Sequence, residues 1–134
     1  MESIHVVAAL IYDQNRFLIG KRSTGKFTGL WEFPGGKVEE SETPEIALVR
    51  EIKEEFGVDL VIKRVLVSID HQYTDFILNM DCYLCTVDST DFDLNDHSEI
   101  TWFDPKNDTI EINWLPADIK VVEYLKSINL DDLR

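Results

Sequence analysis

An α/β domain with a mixed sheet is the fold class this sequence predicts, and three features carry the prediction. Strand-length runs rich in β-branched residues recur along the chain and outnumber two helical segments. The first helical segment has start and stop residues at its ends, and the second shows an amphipathic spacing. A chain of 134 residues, 44% of them hydrophobic, buries one core without disulfides or a structural metal, so residues 1–134 read as a single domain.

In chain order, Ser3 to Tyr12 is a near-continuous apolar run of strand length, which predicts a strand covered on both faces. His5 within it reads as a structural or edge residue. Asp13-Gln14-Asn15 supplies turn residues, and Arg16 to Arg22 continues as a second strand hairpinned to the first. Ser23 to Leu30 is a loop, and Pro34 with Gly35 and Gly36 is expected to break any regular element. Thr43 to Phe56 then forms a helix, with Thr43 as N-cap, Pro44 at the first helical position and Gly57 as the stop. Leu48, Val49, Ile52 and Phe56 read as its core stripe, whereas Ala47 is expected on the opposite, acidic face. Val58 to Ile69 and Phe76 to Val87 predict two strands joined through residues 70–75. Residues 88–98 form an acidic loop, Ile100 to Phe103 a short strand, and Leu115 to Asp118 lead into a last helix with Ile119, Val122 and Leu125 on one side.

The formal net charge of −13 argues against a nucleic-acid polymer or an anionic membrane as partner, since both need clustered Lys and Arg. Cys82 and Cys85 are spaced C-x-x-C within a strand, where residues three apart face opposite sides, so neither a disulfide nor a zinc site is expected. With no signal peptide legible in residues 1–9 and no apolar run near 20 residues, a cytoplasmic location is expected. A small-molecule ligand and a monomer or homodimer fit these bounds.

The densest chemistry lies between Gly36 and Val58, which holds seven acidic side chains in 23 residues. Glu51, Glu54 and Glu55 fall at i, i+3 and i+4, within about 100° of arc on a helix turning roughly 100° per residue. Like charges so placed repel one another, and a divalent cation removes the repulsion. The fixed positions Gly36, Glu42, Arg50, Glu51, Glu54, Glu55 and Gly57, with Ile52 and Val58 as aliphatics, match without departure the signature of the Nudix hydrolases. A chance match is on the order of one in a million at ordinary composition. WEFPGGK and LPAD are further similar to the MutT-like nucleoside triphosphate pyrophosphohydrolases, particularly those acting on CTP.

The resemblance implies an α/β/α sandwich and Mg²⁺-dependent hydrolysis of a nucleoside triphosphate to the monophosphate and pyrophosphate, with Mn²⁺ as the alternative metal. It implies Glu51, Glu54, Glu55 and the Gly36 carbonyl as metal ligands, and Arg50 with Glu42 as partners that hold the ligand glutamates in place. A further acid supplies a metal ligand or general base in such proteins. Counted back from Trp102 it is Asp96, where glutamate is usual, and Glu99 is the alternative. Lys21, Arg22 and Lys37 are candidates for the phosphates. Phe33 or Tyr73 could stack on a base, and Asp118 could accept a hydrogen bond from an exocyclic amine. The nucleobase stays open, as do a dinucleoside polyphosphate or nucleotide sugar as substrate, and a module that binds nucleotide without cleaving it.

Overall fold

The computed structural model describes residues 1–108 and 111–133. Its elements are β1 (Glu2–Asp13), β2 (Arg16–Arg22), β3 (Trp31–Glu32), β4 (Gly35–Lys37), α1 (Pro44–Phe56), β5 (Leu60–Gln72), β6 (Phe76–Val87), β7 (His97–Phe103) and α2 (Pro116–Ser127). A short 3-10 turn follows at Leu130–Leu133. Strand order is β3-β2-β1-β6-β5, with β4 also on β1 and β7 also on β2. The β1–β6 pair is parallel and the other named pairs are antiparallel, so the sheet is mixed as expected.

Alternation along β1 explains the layering. Val7, Ala9 and Ile11 pack with Leu48, Ile52 and Phe56 of α1, while Ala8 and Leu10 pack with Val121, Val122 and Leu125 of α2. A strand with apolar side chains on both faces is therefore the middle of an α/β/α sandwich. The same alternation sends Cys82 into the α2-side core and Cys85 into the α1-side core, both as free thiols.

The expected β1–β2 hairpin forms, pairing Tyr12 with Phe17 and Asp13 with Arg16, before β1 gives that edge to β4 and β2 turns away to β3 and β7. Two local expectations are corrected. Gly35 and Gly36 do not break the chain but form strand β4, paired with Ala8 and Val7. A side chain at position 35 would fall on the Val7 carbonyl, so only glycine permits that approach. On the helices, Ala47 is fully buried in the core, while Val49 and Ile119 are 41% and 44% exposed. One residue's rotation about the helix axis, about 100°, separates these outcomes.

Helix α1 is capped at both ends. Thr43 accepts the Ile46 amide at 3.2 Å, and Gly57 takes the left-handed conformation at φ 71° while donating to the Lys53 carbonyl. The loop before β7 satisfies the next three carbonyls: Asn95 donates its side-chain amide to Glu54 and its backbone amide to Glu55, and Asp93 donates to Phe56. This fixes the loop on the end of the acidic helix.

Candidate active site

A cavity of about 610 Å³ opens where α1, β4, the β2–β3 loop and the start of α2 meet over the sheet. Glu32, Glu51, Glu55, Asp96 and the β4 backbone line one end, and Phe27, Tyr73, Phe76, Leu78 and Met80 line the other. Of the residues predicted from sequence, the fold brings Arg22, Phe33, Gly36, Lys37, Glu51, Glu55, Tyr73, Asp96 and Asp118 into its wall.

Glu55 is the most perturbed group at the acid end. Burial, with the charges of Glu32, Glu51 and Asp96 added, pushes its carboxyl up to about 10. Its Oε2 is buried without a hydrogen-bond partner. Glu51 is raised as well, by burial, against the opposing pull of Arg50. Its carboxylate sits against β4 so closely that a side chain on Gly36 would occupy the same space. The glycine pair thus lets strand backbone and helix carboxylate share one corner.

Arg50 organises the helix from outside the cavity. Its Nε and Nη2 donate to Glu42 at 2.6 and 2.8 Å, a bidentate contact, and its Nη1 donates to Glu51 at 2.9 Å and Glu54 at 3.3 Å. Glu54 is 59% exposed at the side chain and borders an outer groove with Arg50. Among the described residues no three metal-binding groups are drawn into a closed cage. With the guanidinium holding Glu51 and Glu54, and Glu55 buried behind them, the three acids do not converge as they stand. Glu99 lies outside the cavity wall, 3.9 Å from Lys21 on the exposed side of β7. Asp96, whose backbone carbonyl accepts from the Ser23 hydroxyl at 2.8 Å, is the late-loop acid in the wall.

At the other end, Tyr73 stacks on Phe76 with ring centroids 4.9 Å apart and meets Phe27 at 5.5 Å. Its hydroxyl accepts the Ala117 amide at 3.3 Å, tying the β5–β6 turn to α2. Phe33 is in the core, stacked on Trp114, and reaches the cavity with only a small fraction of its surface. Its backbone amide donates to Asp118 Oδ1 at 2.9 Å. Burial and the nearby charge of Glu32 raise Asp118 well above the ordinary carboxylate range, which favours the protonated form that can donate as well as accept.

Sequence reasoning missed Glu32, His97, Phe27 and Phe76. Glu32 immediately precedes the Phe-Pro-Gly-Gly turn and so had a positional signal. His97 falls within the loop expected over residues 88–98, but it starts β7 and is buried against Glu32. Phe27 and Phe76 reach the cavity through tertiary contacts that no local pattern reveals.

A NUDIX domain family profile matches residues 3–127. A CTP pyrophosphohydrolase from Escherichia coli strain K12 is 31% identical over 129 residues, covering 96% of this chain and 95% of that protein. An 8-oxo-dGTP diphosphatase from Proteus vulgaris is 37% identical over 87 residues, 63% of this chain and 78% of that protein. The crystal structure of a MutT NUDIX hydrolase from Burkholderia pseudomallei superposes with a TM-score of 0.81 at 26% identity, covering 92% of this chain and 98% of that one. The chain belongs to the Nudix family. Within it, the chain is a hydrolase of the MutT-like, pyrophosphohydrolase kind.

Proposed function

We propose that the protein hydrolyses a nucleoside triphosphate to the monophosphate and pyrophosphate with Mg²⁺, and that CTP-type or oxidised nucleotides are its substrates. One observation carries this reading: a single cavity joins an acid end to an aromatic end. That pairing suits a ligand that is polyphosphate at one end and a base at the other.

The electrostatics support a divalent cation. Five carboxyl side chains, Glu32, Glu51, Glu55, Asp96 and Asp118, line the cavity beside Arg22 and Lys37, and burial and crowding raise the proton affinity of Glu51, Glu55 and Asp118. A divalent cation in place of protons relieves the same crowding and brings positive charge to a polyphosphate. The donor set fits Mg²⁺: the lining offers hard oxygens, no thiol or imidazole, and the unpartnered Oε2 of buried Glu55. Glu51, Glu55 and the Gly36 carbonyl would hold the metal, joined by Glu54 once Arg50 releases it. When bound, it neutralises phosphate oxygens and gathers a water beside them.

The chain's own groups do the rest. Arg22 and Lys37 bind phosphate oxygens, and Phe27 and Tyr73 wall the base. Asp96 accepts the proton as water oxygen bonds to phosphorus and the anhydride P–O bond breaks. In support, the two relatives named above carry pyrophosphohydrolase or diphosphatase names for CTP and 8-oxo-dGTP. The two buried thiols suit a reducing, cytoplasmic location, and no described helix is long and apolar enough to cross a membrane. A nucleotide panel with Mg²⁺, scored for pyrophosphate against orthophosphate, tests the reading. Pyrophosphate from triphosphates is expected; turnover confined to nucleotide sugars or dinucleoside polyphosphates would overturn it.

A further inference from the structure

His97 is the buried titratable group that the reaction above does not use. Its side chain is 1% exposed, and its ring lies flat on Phe56 of α1, centroids 5.3 Å apart and planes 6° from parallel. Gly20 of β2 also presses on the ring, since a side chain at that position would collide with it. Held between a helix and a strand, the imidazole has no freedom to turn.

That orientation aims one nitrogen at two acids of the cavity. Nε2 stands 3.0 Å from Glu32 Oε2 and 3.9 Å from Glu55 Oε1. The pair at 3.0 Å is a hydrogen bond in which the imidazole N–H donates to the carboxylate. Glu32 is gripped from its other side by Arg22 Nη1, at 3.2 Å. Fixed in this way, the Glu32 carboxyl lies close enough to Glu55 for its charge to raise the Glu55 carboxyl, and Glu55 Oε2 remains without a hydrogen-bond partner.

We propose that His97 is a positioning residue that fixes Glu32 by hydrogen bond, and so sets the corner in which the unpartnered oxygen of Glu55 is left for the divalent cation. The inference rests on the reading that Glu55 is a metal ligand. Oriented partners behind a ligand typically change metal affinity by about 10- to 100-fold when removed.

Two substitutions separate this role from packing. His97→Phe keeps the flat ring on Phe56 but removes the N–H, whereas His97→Gln gives up the ring and keeps an amide N–H at similar reach. Mn²⁺ titration of the nucleotide-free protein by calorimetry should show affinity about 10-fold weaker for His97→Phe and within about 3-fold of wild type for His97→Gln. Glu55→Gln serves as the control for the metal site, and melting curves confirm folding. If Glu55→Gln weakens binding but His97→Phe does not, the positioning role is overturned while the metal reading stands. If Glu55→Gln leaves binding unchanged, the metal reading itself fails. Should His97→Phe not fold, His97→Gln decides: retained affinity supports the hydrogen bond, and lost affinity in a folded protein overturns it.

Discussion

The two ends of the cavity are built in opposite ways. The acid end takes Glu32 from β3 and Asp96 from the loop before β7, but its Gly36, Glu51 and Glu55 come from one strand-to-helix segment held at many points: the Thr43 cap, the Gly57 stop, the Arg50 fork and the Asn95 clamp. The aromatic end takes Phe27 from one loop, Tyr73 and Phe76 from another turn, and Asp118 from the second helix. A charge cluster costs free energy to assemble and must be fixed by neighbours, while apolar contacts add roughly independently. The contrast teaches that the bond-breaking end tolerates little change, whereas the base end can be altered one residue at a time.

The largest expected effect tests that intolerance. Glu51→Gln preserves size and helix propensity but removes a carboxylate from the Gly36 corner, and turnover should fall by on the order of 100-fold or more while the fold is retained. Glu54→Gln should do the same if the cation draws Glu54 away from Arg50. Near wild-type kcat with Mg²⁺ for both would remove the distinction between the ends.

Next comes the cost of the acid cluster itself. The folded pKa of Glu55 is raised to about 10, so the folded protein keeps a proton that the unfolded chain loses above the ordinary carboxylate range. Its stability contribution is complete below about pH 4.5 and is lost as pH rises toward about 10. Without metal, the Tm should therefore fall between about pH 6 and about pH 9, and Glu55→Gln should flatten that slope. Mg²⁺ at about 100 times its Kd should add about 2.7 kcal/mol at the alkaline side. A metal-free Tm that rises over this interval would contradict the assigned protonation.

At the aromatic end, Phe27→Ala should raise KM for the nucleotide by about 5- to 100-fold, the equivalent of losing about 1–3 kcal/mol of base stacking, with kcat nearly constant. A drop in kcat of the same size would show the ends are coupled. The smallest effect belongs to Asp118→Asn. Asn keeps an acceptor for the Phe33 amide and offers a donor, as the protonated form that burial of Asp118 favours also does, so the ratio of kcat/KM for CTP over UTP should change by less than about 10-fold. A larger change would mean that Asp118 meets the base as an ionised, acceptor-only group.

The same contrast governs what could be read from sequence. Helix α1, its cap and its stop were legible to the residue, because capping chemistry and acid spacing are local. β6 is equally clear, since its bounds are those of the expected second run, Phe76 to Val87. The strand formed by Gly35 and Gly36 was not, since its reason is the nearness of the Val7 carbonyl, a tertiary fact. Asp118 is legible as a residue, but its burial and the Glu32 charge that together raise its carboxyl come from contacts distant in sequence. Val49 and Ile119 were placed in the core by a helical spacing that cannot fix the stripe's edge to better than one residue.

The parallel pairing of β1 with β6 reaches beyond catalysis. Ten residue pairs, from Glu2 with Phe76 to Ile11 with Cys85, join strands about 74 positions apart. During synthesis β1 emerges early as an apolar strand whose main partner is not yet made, while α1 and the β5–β6 hairpin can form from local contacts. Pairing of β1 with β6 closes a long loop, so it is expected to come late, with Val7 to Ile11 exposed to other chains until it does. Handling by chaperones, and yield on expression, should respond more to polar substitutions on the β1 edge than to any change in the catalytic helix.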